Sequence, residues 1–254
     1  VVPCGTTGES ATLSHAEQGQ VIGFCVDQVT GRVPVIAGAG SNNTKEAIEL
    51  TRLAKKAGAD AALIITPYYN KPTPDGLVAH FKALAAEASM PFIVYNVPGR
   101  TGLNLLPKTL ARIVKEVPEI VGCKEATGDI KQGAEVIERM GKDFVVLSGD
   151  DFTVLPLLSV GGVGTISVTS NVMPGKMSGM IQAFFKRDNA RAQALHLEMN
   201  PVNRAMFVET NPIPVKTALH LMGKMGLEFR LPLVPLEPAN LASLTESLKA
   251  SGLI

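Results

Sequence analysis

The sequence predicts an α/β fold in which strands and helices alternate along the chain. Short β-branched runs begin about 20 to 32 residues apart, helical stretches fill most of the gaps between them, and the runs stop from Met173 onward. This rhythm is typical of repeated βα units around a parallel sheet, followed here by a helical extension. The seven predicted strands are residues 1–4, 33–37, 61–66, 92–96, 120–125, 144–148 and 164–168.

Capping signals mark the helices between these strands. Ser14 and Glu17 have the spacing of a capping box, so a helix is expected to begin directly after Ser14. Pro107 suits the first position of a helix. Gly31 and Gly58 lie where the C-terminal ends of two helices are expected.

The rest of the chain reads as helical segments that break at three places. The breaks are Asp188-Asn189, Asn211-Pro212 and the proline-rich stretch 231–238. No linker or low-complexity segment separates this part from the βα repeats. We therefore expect a βα barrel over residues 1–172 and a C-terminal helical region over residues 173–254, within one compact unit.

Two arrangements of a parallel sheet fit seven strands. A (β/α)8 barrel has eight strands, and this chain begins directly on a strand, so a barrel would lack its first βα unit. An open doubly wound sheet accommodates seven strands without such a gap. Polar side chains cluster after the C-terminal ends of many strands, and in a barrel those ends converge on one mouth, which favours the barrel. The clustered residues are Thr6, Thr7, Tyr68, Tyr69, Tyr95, Arg100, Lys124 and residues 148–151.

Composition and charge exclude several classes of function. The 254 residues carry 24 Lys and Arg against 23 Asp and Glu, a net charge of +1, so no strong field recruits nucleic acid or an acidic membrane. No apolar run approaches the roughly 20 residues of a membrane span. Three cysteines without a CxxC pair argue against a disulfide framework or a thiolate zinc site and fit a reducing cytoplasm. The sequence opens with neither a signal peptide nor Met, so we expect a cytoplasmic protein, and whether Val1 is its natural start is open at this point.

Lys124 lies inside an apolar strand, where a charged ammonium group is costly to bury. Burial favours the neutral amine, and a neutral amine can attack a ketone to form a Schiff base. The alternative is that Lys124 simply ends the strand and pairs with Glu125 or with solvent. Both interpretations are open from this segment alone.

All three tyrosines follow strands or end them. A phenol can relay a proton when a neighbouring hydroxyl holds it, and Thr6 is expected at the same mouth as Tyr95. Ordinary packing at sheet ends is the alternative for the tyrosines. Arg100 could bind a substrate carboxylate through its planar guanidinium group, although a loop arginine is more often a surface charge.

Two glycine-rich turns precede helices. Residues 5–10 could hold an anion through backbone N–H groups and hydroxyls. Residues 38–43 resemble a dinucleotide fingerprint but have Asn43 in place of the third glycine, and no acid follows the next strand. The four histidines show no ligand spacing, so neither a nucleotide nor a metal is expected.

Six motifs taken together resemble the dihydrodipicolinate synthase family. They are GTTGES at residues 5–10, TPYYNKP at 66–72, YNVPGRT at 95–101, KEATGD at 124–129, SGDD at 148–151 and GTISVTSNV at 164–172. Their order and spacing also match, and the resemblance extends from residue 1 to the C-terminus. It implies a (β/α)8 barrel with a C-terminal helical region, assembled as a homotetramer. The implied reaction condenses pyruvate with L-aspartate 4-semialdehyde in lysine biosynthesis, with no metal or organic cofactor.

The resemblance assigns catalytic roles position by position. Lys124 would form the Schiff base with pyruvate, and Tyr95 would be the proton relay beside the imine. Thr6 and Tyr69 would complete the relay, with Tyr69 crossing from a neighbouring subunit.

It also assigns substrate-binding roles. Thr7 would hold the pyruvate carboxylate and Arg100 the semialdehyde carboxylate. The main-chain carbonyl of Ile166 would lie near the pyruvate-derived group, and Gly149 would help shape the pocket.

Many members of the family are inhibited by L-lysine at a dimer interface. Gln18 replaces a histidine of some lysine-sensitive members, which leaves the strength of inhibition open. The matching positions here are Ser10, Ala11, His15, Asn42, Glu46 and Tyr68.

Members of the family begin with a βα unit, about 30 to 40 residues by the size of such a repeat, that has no counterpart here. Its removal would leave unpaired strand edges and an exposed docking surface for a helix. We expect either a fragment of a longer protein or an oligomer whose contacts cover the gap.

Other functions remain as alternatives. Related barrels such as N-acetylneuraminate lyase and the keto-deoxy sugar acid aldolases share the Schiff-base lysine but take other aldehydes. Arg100 matches the synthase pattern for an acidic aldehyde. A non-catalytic paralogue with a scaffold role is a further alternative, which the presence of every motif residue disfavours.

Overall fold

The computed structural model describes all 254 residues of the chain, which divides into two compact units. The first comprises Val1–Asp150 and Ser159–Ile166, and the second comprises Asp151–Leu158 and Ser167–Ile254. The sequence-based division at residue 172 stays a prediction. No helix in the structure is both long and apolar enough to cross a membrane.

The first unit is built on a sheet of six parallel strands that lie side by side in sequence order. A doubly wound sheet reverses its strand order at a switch point, and no reversal occurs here. The sequential order therefore supports the barrel interpretation over the open sheet. The strands are β1 (Ile36–Gly38), β2 (Ala61–Ile65), β3 (Phe92–Asn96), β4 (Ile120–Glu125), β5 (Val145–Ser148) and β6 (Gly164–Thr165).

The prediction of a strand at residues 1–4 is wrong. The segment does lie beside β1, because the carbonyl oxygens of Val1 and Pro3 accept hydrogen bonds from the backbone of that strand, each at 2.9 Å. It cannot complete a ladder, since Pro3 has no N–H to donate and Cys4 has a φ of 54°, outside the extended region. Its close approach is possible because Gly38 has no Cβ, which would overlap the carbonyl oxygen of Cys4.

Six helices follow the strand-like segments of the first unit, and their ends agree with the capping signals. The Ser14 side chain accepts from the Glu17 N–H, and the Glu17 carboxylate accepts from the Ser14 N–H at 2.8 Å. Pro107 is the first residue of its helix, and Gly31 and Gly58 follow two helix ends with φ values of 72° and 89°. The helices are α1 (His15–Val29), α2 (Thr44–Lys56), α3 (Pro74–Ala88), α4 (Pro98–Thr101), α5 (Pro107–Glu116) and α6 (Ile130–Met140).

One face of the sheet carries an apolar cluster that the strands share. Its buried members are Leu63, Ile93, Tyr95 and Val97. Side chains from the other strands and from the chain start pack against it, so this face of the sheet carries apolar side chains from every strand or strand end. The added side chains are Val2, Ile36, Ile65, Ala126, Leu147 and Ile166.

The second unit is helical, as the sequence predicts for the residues after Met173. Its core includes Met180, Met199, Met206 and Leu244, all at most 1% exposed. The helix breaks fall where the sequence places them, with helices beginning at Asn189, Ile213 and Pro238. The helices are α7 (Val154–Ser159), α8 (Pro174–Phe185), α9 (Asn189–Ala205), α10 (Ile213–Leu221) and α11 (Pro238–Ala250).

Candidate active site

Two neighbouring strands bring Lys124 and Tyr95 together. The residues are register partners between β3 and β4, and Nζ of Lys124 lies 4.1 Å from the centre of the Tyr95 ring. Both side chains are buried, with Lys124 8% and Tyr95 6% exposed. An amine held against a phenol inside an apolar cluster is a suitable arrangement for Schiff-base chemistry.

The apolar surroundings also explain the protonation of Tyr95. Burial raises the pKa of its phenol above the usual 10, while a hydrogen bond with the Thr6 side chain and the positive charge of Arg100 partly oppose that rise. The phenol is therefore protonated at neutral pH. It can donate its own proton and accept another through its oxygen, as a relay requires.

Thr6 and Thr7 reach this region on a tight turn. The Gly8 and Glu9 N–H groups donate to the carbonyls of Gly5 and Thr6 at 3.0 and 3.1 Å, which closes the turn. The structure thus brings Thr6 to Tyr95, as the sequence predicts, and places Thr7 next to it on the same turn.

Arg100 lies on α4, the single-turn helix that follows β3. Its backbone N–H donates to the Val97 carbonyl at 2.9 Å, so the helix begins directly after the strand that carries Tyr95. The Arg100 side chain is exposed, yet its charge still lowers the pKa of Tyr95. A cation at this exposed position can bind a negatively charged substrate that enters from solvent.

Gly149 forms part of the wall around Lys124. Its N–H donates to the Glu125 carbonyl at 2.7 Å. A Cβ at this position would lie 2.8 Å from Cε of Lys124 and 2.5 Å from Cβ of Ala126, so only glycine leaves room for the lysine side chain. The backbone N–H of Ile166 donates to Ser148 at 2.9 Å on the neighbouring strand end, and its side chain joins the apolar cluster.

Tyr69 is held differently from the other predicted catalytic residues. Its side chain is 89% exposed, and its φ is 69°. Its N–H donates to the carbonyl of Thr101 at 3.2 Å, which attaches it to the end of α4. The structure therefore fixes the Tyr69 backbone but leaves its phenol outside the buried pair.

The residues predicted for lysine binding lie at the starts of α1 and α2 and after β2. The Glu46 carboxylate accepts from the Ser41 hydroxyl at 2.8 Å, and Nδ1 of His15 lies 3.8 Å from the Glu49 carboxylate. Gln18 is buried and donates to the Ser10 carbonyl at 3.1 Å. The other predicted positions are Ala11, Asn42 and Tyr68, of which Tyr68 is 38% exposed.

The sequence reasoning missed a polar cluster on β3, β4, α6 and the loop before α5, in which every member except Asn104 is buried. One oxygen of Glu125 accepts from the side-chain amides of Asn96 and Gln132 at 3.2 and 3.3 Å. The side-chain oxygen of Asn104 accepts hydrogen bonds from both of those amides, at 3.0 Å each. We call Asn96, Asn104, Glu125 and Gln132 the Glu125 cluster. Side chains alternate between the two faces of a strand, so the sequence alone could have placed Glu125 on the face opposite Lys124.

No group of three or more His, Cys, Asp or Glu side chains in the structure is placed to hold a metal ion.

Comparison with known proteins gives consistent results. Residues 1–251 match the model of the dihydrodipicolinate synthetase family. The chain is similar to the 4-hydroxy-tetrahydrodipicolinate synthase of Maridesulfovibrio salexigens, with 68% identity over 100% of this chain and 87% of that protein.

Solved structures agree. A dihydrodipicolinate synthase from Acinetobacter baumannii, chloride-inhibited and complexed with pyruvate, is 47% identical with a TM-score of 0.97 over 100% of this chain and 87% of that one. The enzyme of Cyanidioschyzon merolae with lysine bound is 41% identical with a TM-score of 0.96 over 100% and 86%. These scores confirm the α/β barrel class predicted from the sequence.

Proposed function

Since the chain belongs to the dihydrodipicolinate synthetase family, we propose that Lys124 carries its reaction. That reaction is the condensation of pyruvate with L-aspartate 4-semialdehyde to 4-hydroxy-tetrahydrodipicolinate in lysine biosynthesis. The family uses a Schiff base between a lysine and pyruvate and needs no cofactor. Because the chain is 68% identical to a 4-hydroxy-tetrahydrodipicolinate synthase, the synthase reaction is preferred to the aldolase and scaffold alternatives. The observation that carries the assignment of Lys124 is its burial against Tyr95, 4.1 Å from the ring centre.

The first half of the reaction builds the nucleophile. The neutral amine of Lys124 attacks the ketone carbon of pyruvate, and the ketone oxygen leaves as water to give an imine. Loss of a proton from the methyl group then gives an enamine. Tyr95, hydrogen-bonded to Thr6, moves these protons in this proposal, which is supported by the position of the Lys124 amine over its ring, 4.1 Å from the ring centre.

The second half forms the carbon–carbon bond and closes the ring. The enamine carbon adds to the aldehyde carbon of the semialdehyde, and the aldehyde oxygen takes up a proton. The amino group of the semialdehyde then attacks the imine carbon, and Lys124 leaves as the free amine. The lysine is regenerated, which makes it a catalyst rather than a reactant.

Substrate binding uses the groups around this pair. Thr7 holds the pyruvate carboxylate from the turn beside Thr6, and Arg100 holds the semialdehyde carboxylate from the solvent side. The carbonyl of Ile166 lies near the pyruvate-derived group. Gly149 keeps the space that the Lys124 side chain needs.

Hydride trapping tests the proposal directly. Borohydride reduces an imine to a stable secondary amine, so incubation with pyruvate and borohydride should add the reduced pyruvate group to the peptide that contains Lys124. The same incubation without pyruvate is the control. Labelling at any other lysine in the folded protein, with Lys124 unmodified, would contradict the assignment.

We predict that Arg100→Gln raises the KM for L-aspartate 4-semialdehyde about 10- to 100-fold, the range expected for loss of a hydrogen-bonded ion pair. The KM for pyruvate should stay within about twofold, because pyruvate is held by other groups. Steady-state kinetics with each substrate varied in turn measures both values. Arg112→Gln on α5 is the matched control, since Arg112 is also exposed but bonds Asp75 and Glu116. Equal changes in the two KM values would argue against a specific role for Arg100.

An oligomer completes the relay in this proposal. Tyr69 is 89% exposed, and its backbone is anchored to α4, so its phenol projects from a fixed base. That arrangement suits a side chain that enters the site of a second copy. The homotetramer implied by the family motifs, a dimer of dimers, supplies such a contact.

We predict that L-lysine binds the chain at millimolar concentration and slows turnover. The predicted positions have the chemistry for it, since Glu46 can bind an ammonium group and His15 begins α1, where a carboxylate is favoured. The related structure from Cyanidioschyzon merolae holds lysine. Titration calorimetry and inhibition kinetics measure the effect, with D-lysine as the control and Glu46→Gln expected to weaken it. If millimolar L-lysine neither binds nor inhibits, this regulatory prediction is wrong.

A further inference from the structure

The Glu125 cluster lies directly behind the reactive pair. Tyr95 and Lys124 are register partners, and so are the next two residues along the same strands, Asn96 and Glu125. Successive side chains on a strand point to opposite faces. Each strand therefore carries one reactive residue on the inner face and one member of the cluster on the other.

The carboxylate of Glu125 is buried among uncharged groups. It is 5% exposed, and the three groups that donate to it are uncharged: the Thr127 N–H at 2.8 Å and the amides of Asn96 and Gln132. Burying a carboxylate costs free energy unless hydrogen bonds satisfy it, and an apolar side chain could fill this space more cheaply. Its hydrogen bonds, however, are stronger and more directional than those of a neutral group. The position therefore gives up stability for a fixed geometry.

The cluster reaches the segments that carry other site residues. The Asn96 side chain accepts from the Leu105 N–H at 3.0 Å and so holds the chain just after α4. Thr101, the last residue of α4, accepts the Tyr69 N–H through its carbonyl. The cluster is thus linked through α4 to both Arg100 and Tyr69.

A second link passes through the backbone of the same residue. The Glu125 carbonyl accepts the Gly149 N–H at 2.7 Å, and Gly149 packs against the Lys124 side chain. A shift of Glu125 would therefore move Gly149 beside the Lys124 side chain as well as the strand end.

We propose that Glu125 is a positioning residue for the reaction, with its buried carboxylate fixing the Lys124 strand relative to α4. This inference rests on the proposed function, since it assumes that Lys124 and Arg100 act on the two substrates. The role is geometric, because Glu125 reaches the reacting atoms only through other groups.

Glu125→Gln tests the inference with almost no change of shape. One carboxylate oxygen becomes an NH2 group, which faces a donor whichever way the amide turns, so at least one hydrogen bond is lost. We expect kcat to fall about 10- to 100-fold, the scale on which small misplacements of reactive groups act. The KM for the semialdehyde should rise, and hydride trapping of pyruvate at Lys124 should slow.

Thr51→Val is the matched control for lost stability. Thr51 is fully buried in α2 and donates to the Ala47 carbonyl at 2.6 Å, away from the cluster. It should lower the melting temperature without changing kcat or either KM, when kinetics are measured well below the melting temperature. If Glu125→Gln lowers only the melting temperature, as this control does, the positioning role is overturned.

A milder variant keeps the test decisive if Glu125→Gln does not fold. Asn104 is exposed at the edge of the cluster, and Asn104→Ala removes its bonds to Asn96 and Gln132 while the carboxylate keeps its own donors. We expect kcat to fall about fivefold, less than for Glu125→Gln, because the carboxylate keeps its donors. Unchanged kinetics would overturn the inference. Wild-type protein that fails to trap pyruvate at Lys124 would instead overturn the proposed function.

Discussion

Lys124→Met should remove hydride trapping of pyruvate and lower kcat about 10³-fold or more, roughly 4 kcal/mol of barrier. Methionine matches lysine in length but has no amine, so no imine can form and the enamine route is lost. The fold should survive, because the position is 8% exposed and an apolar side chain avoids the cost of burying an amine. Turnover is measured with both substrates, and trapping is measured by mass of the peptide.

Lys131→Met is the control for this variant. Lys131 lies in α6, seven residues further along, and its side chain is exposed. Its replacement should leave trapping and turnover unchanged. If the Lys124→Met protein still gains the mass of reduced pyruvate while it is folded, another lysine carries the reaction and the assignment fails. If the melting temperature of the Lys124→Met protein equals or exceeds that of the wild type, the amine at position 124 does not stabilise the fold. Its retention would then be explained by its chemistry.

The sequence predicts strand positions well where strands have two partners. Residues 92–96 and 120–125 are strands over the predicted length, and both β3 and β4 are paired on each side. The terminal strands β1 and β6 are shorter than predicted, since each has one partner. Strand length at an edge is set by the neighbouring strand and by residues such as Pro3, which the β-branched pattern does not weigh.

The candidate residues of the site could be named from the sequence, but their arrangement could not. An amine inside an apolar run makes Lys124 a candidate, because its chemistry conflicts with its surroundings, and the motif resemblance gives it the Schiff-base role. Its pairing with Tyr95 depends on the register of β3 against β4, which the β-branched pattern does not give. Because Lys124 and Glu125 are adjacent in the sequence, an ion pair between them was one alternative for Lys124. In the strand they face opposite sides, and Glu125 bonds amides instead.

Tyr95→Phe should lower kcat about 10²-fold, within the range of general acid–base catalysis, and slow imine formation. Phenylalanine keeps the ring against Lys124 and removes only the hydroxyl, so the change measures proton transfer apart from packing. Because burial raises the pKa of the phenol, the wild type works with the protonated form at neutral pH. The loss should therefore be nearly constant between about pH 6 and 8, well below the tyrosine range.

Thr6→Val separates the relay from a simple packing role. The Thr6 hydroxyl hydrogen-bonds Tyr95, so its removal should lower kcat in the same direction but less, and should add little to Tyr95→Phe in the double variant. Residues that act as one unit give such non-additive losses. Independent, additive effects would show that the two hydroxyls serve separate steps. If the kcat of Tyr95→Phe stays within twofold of the wild-type value, the phenol is not the proton relay. Water would then move the proton between Lys124 and substrate.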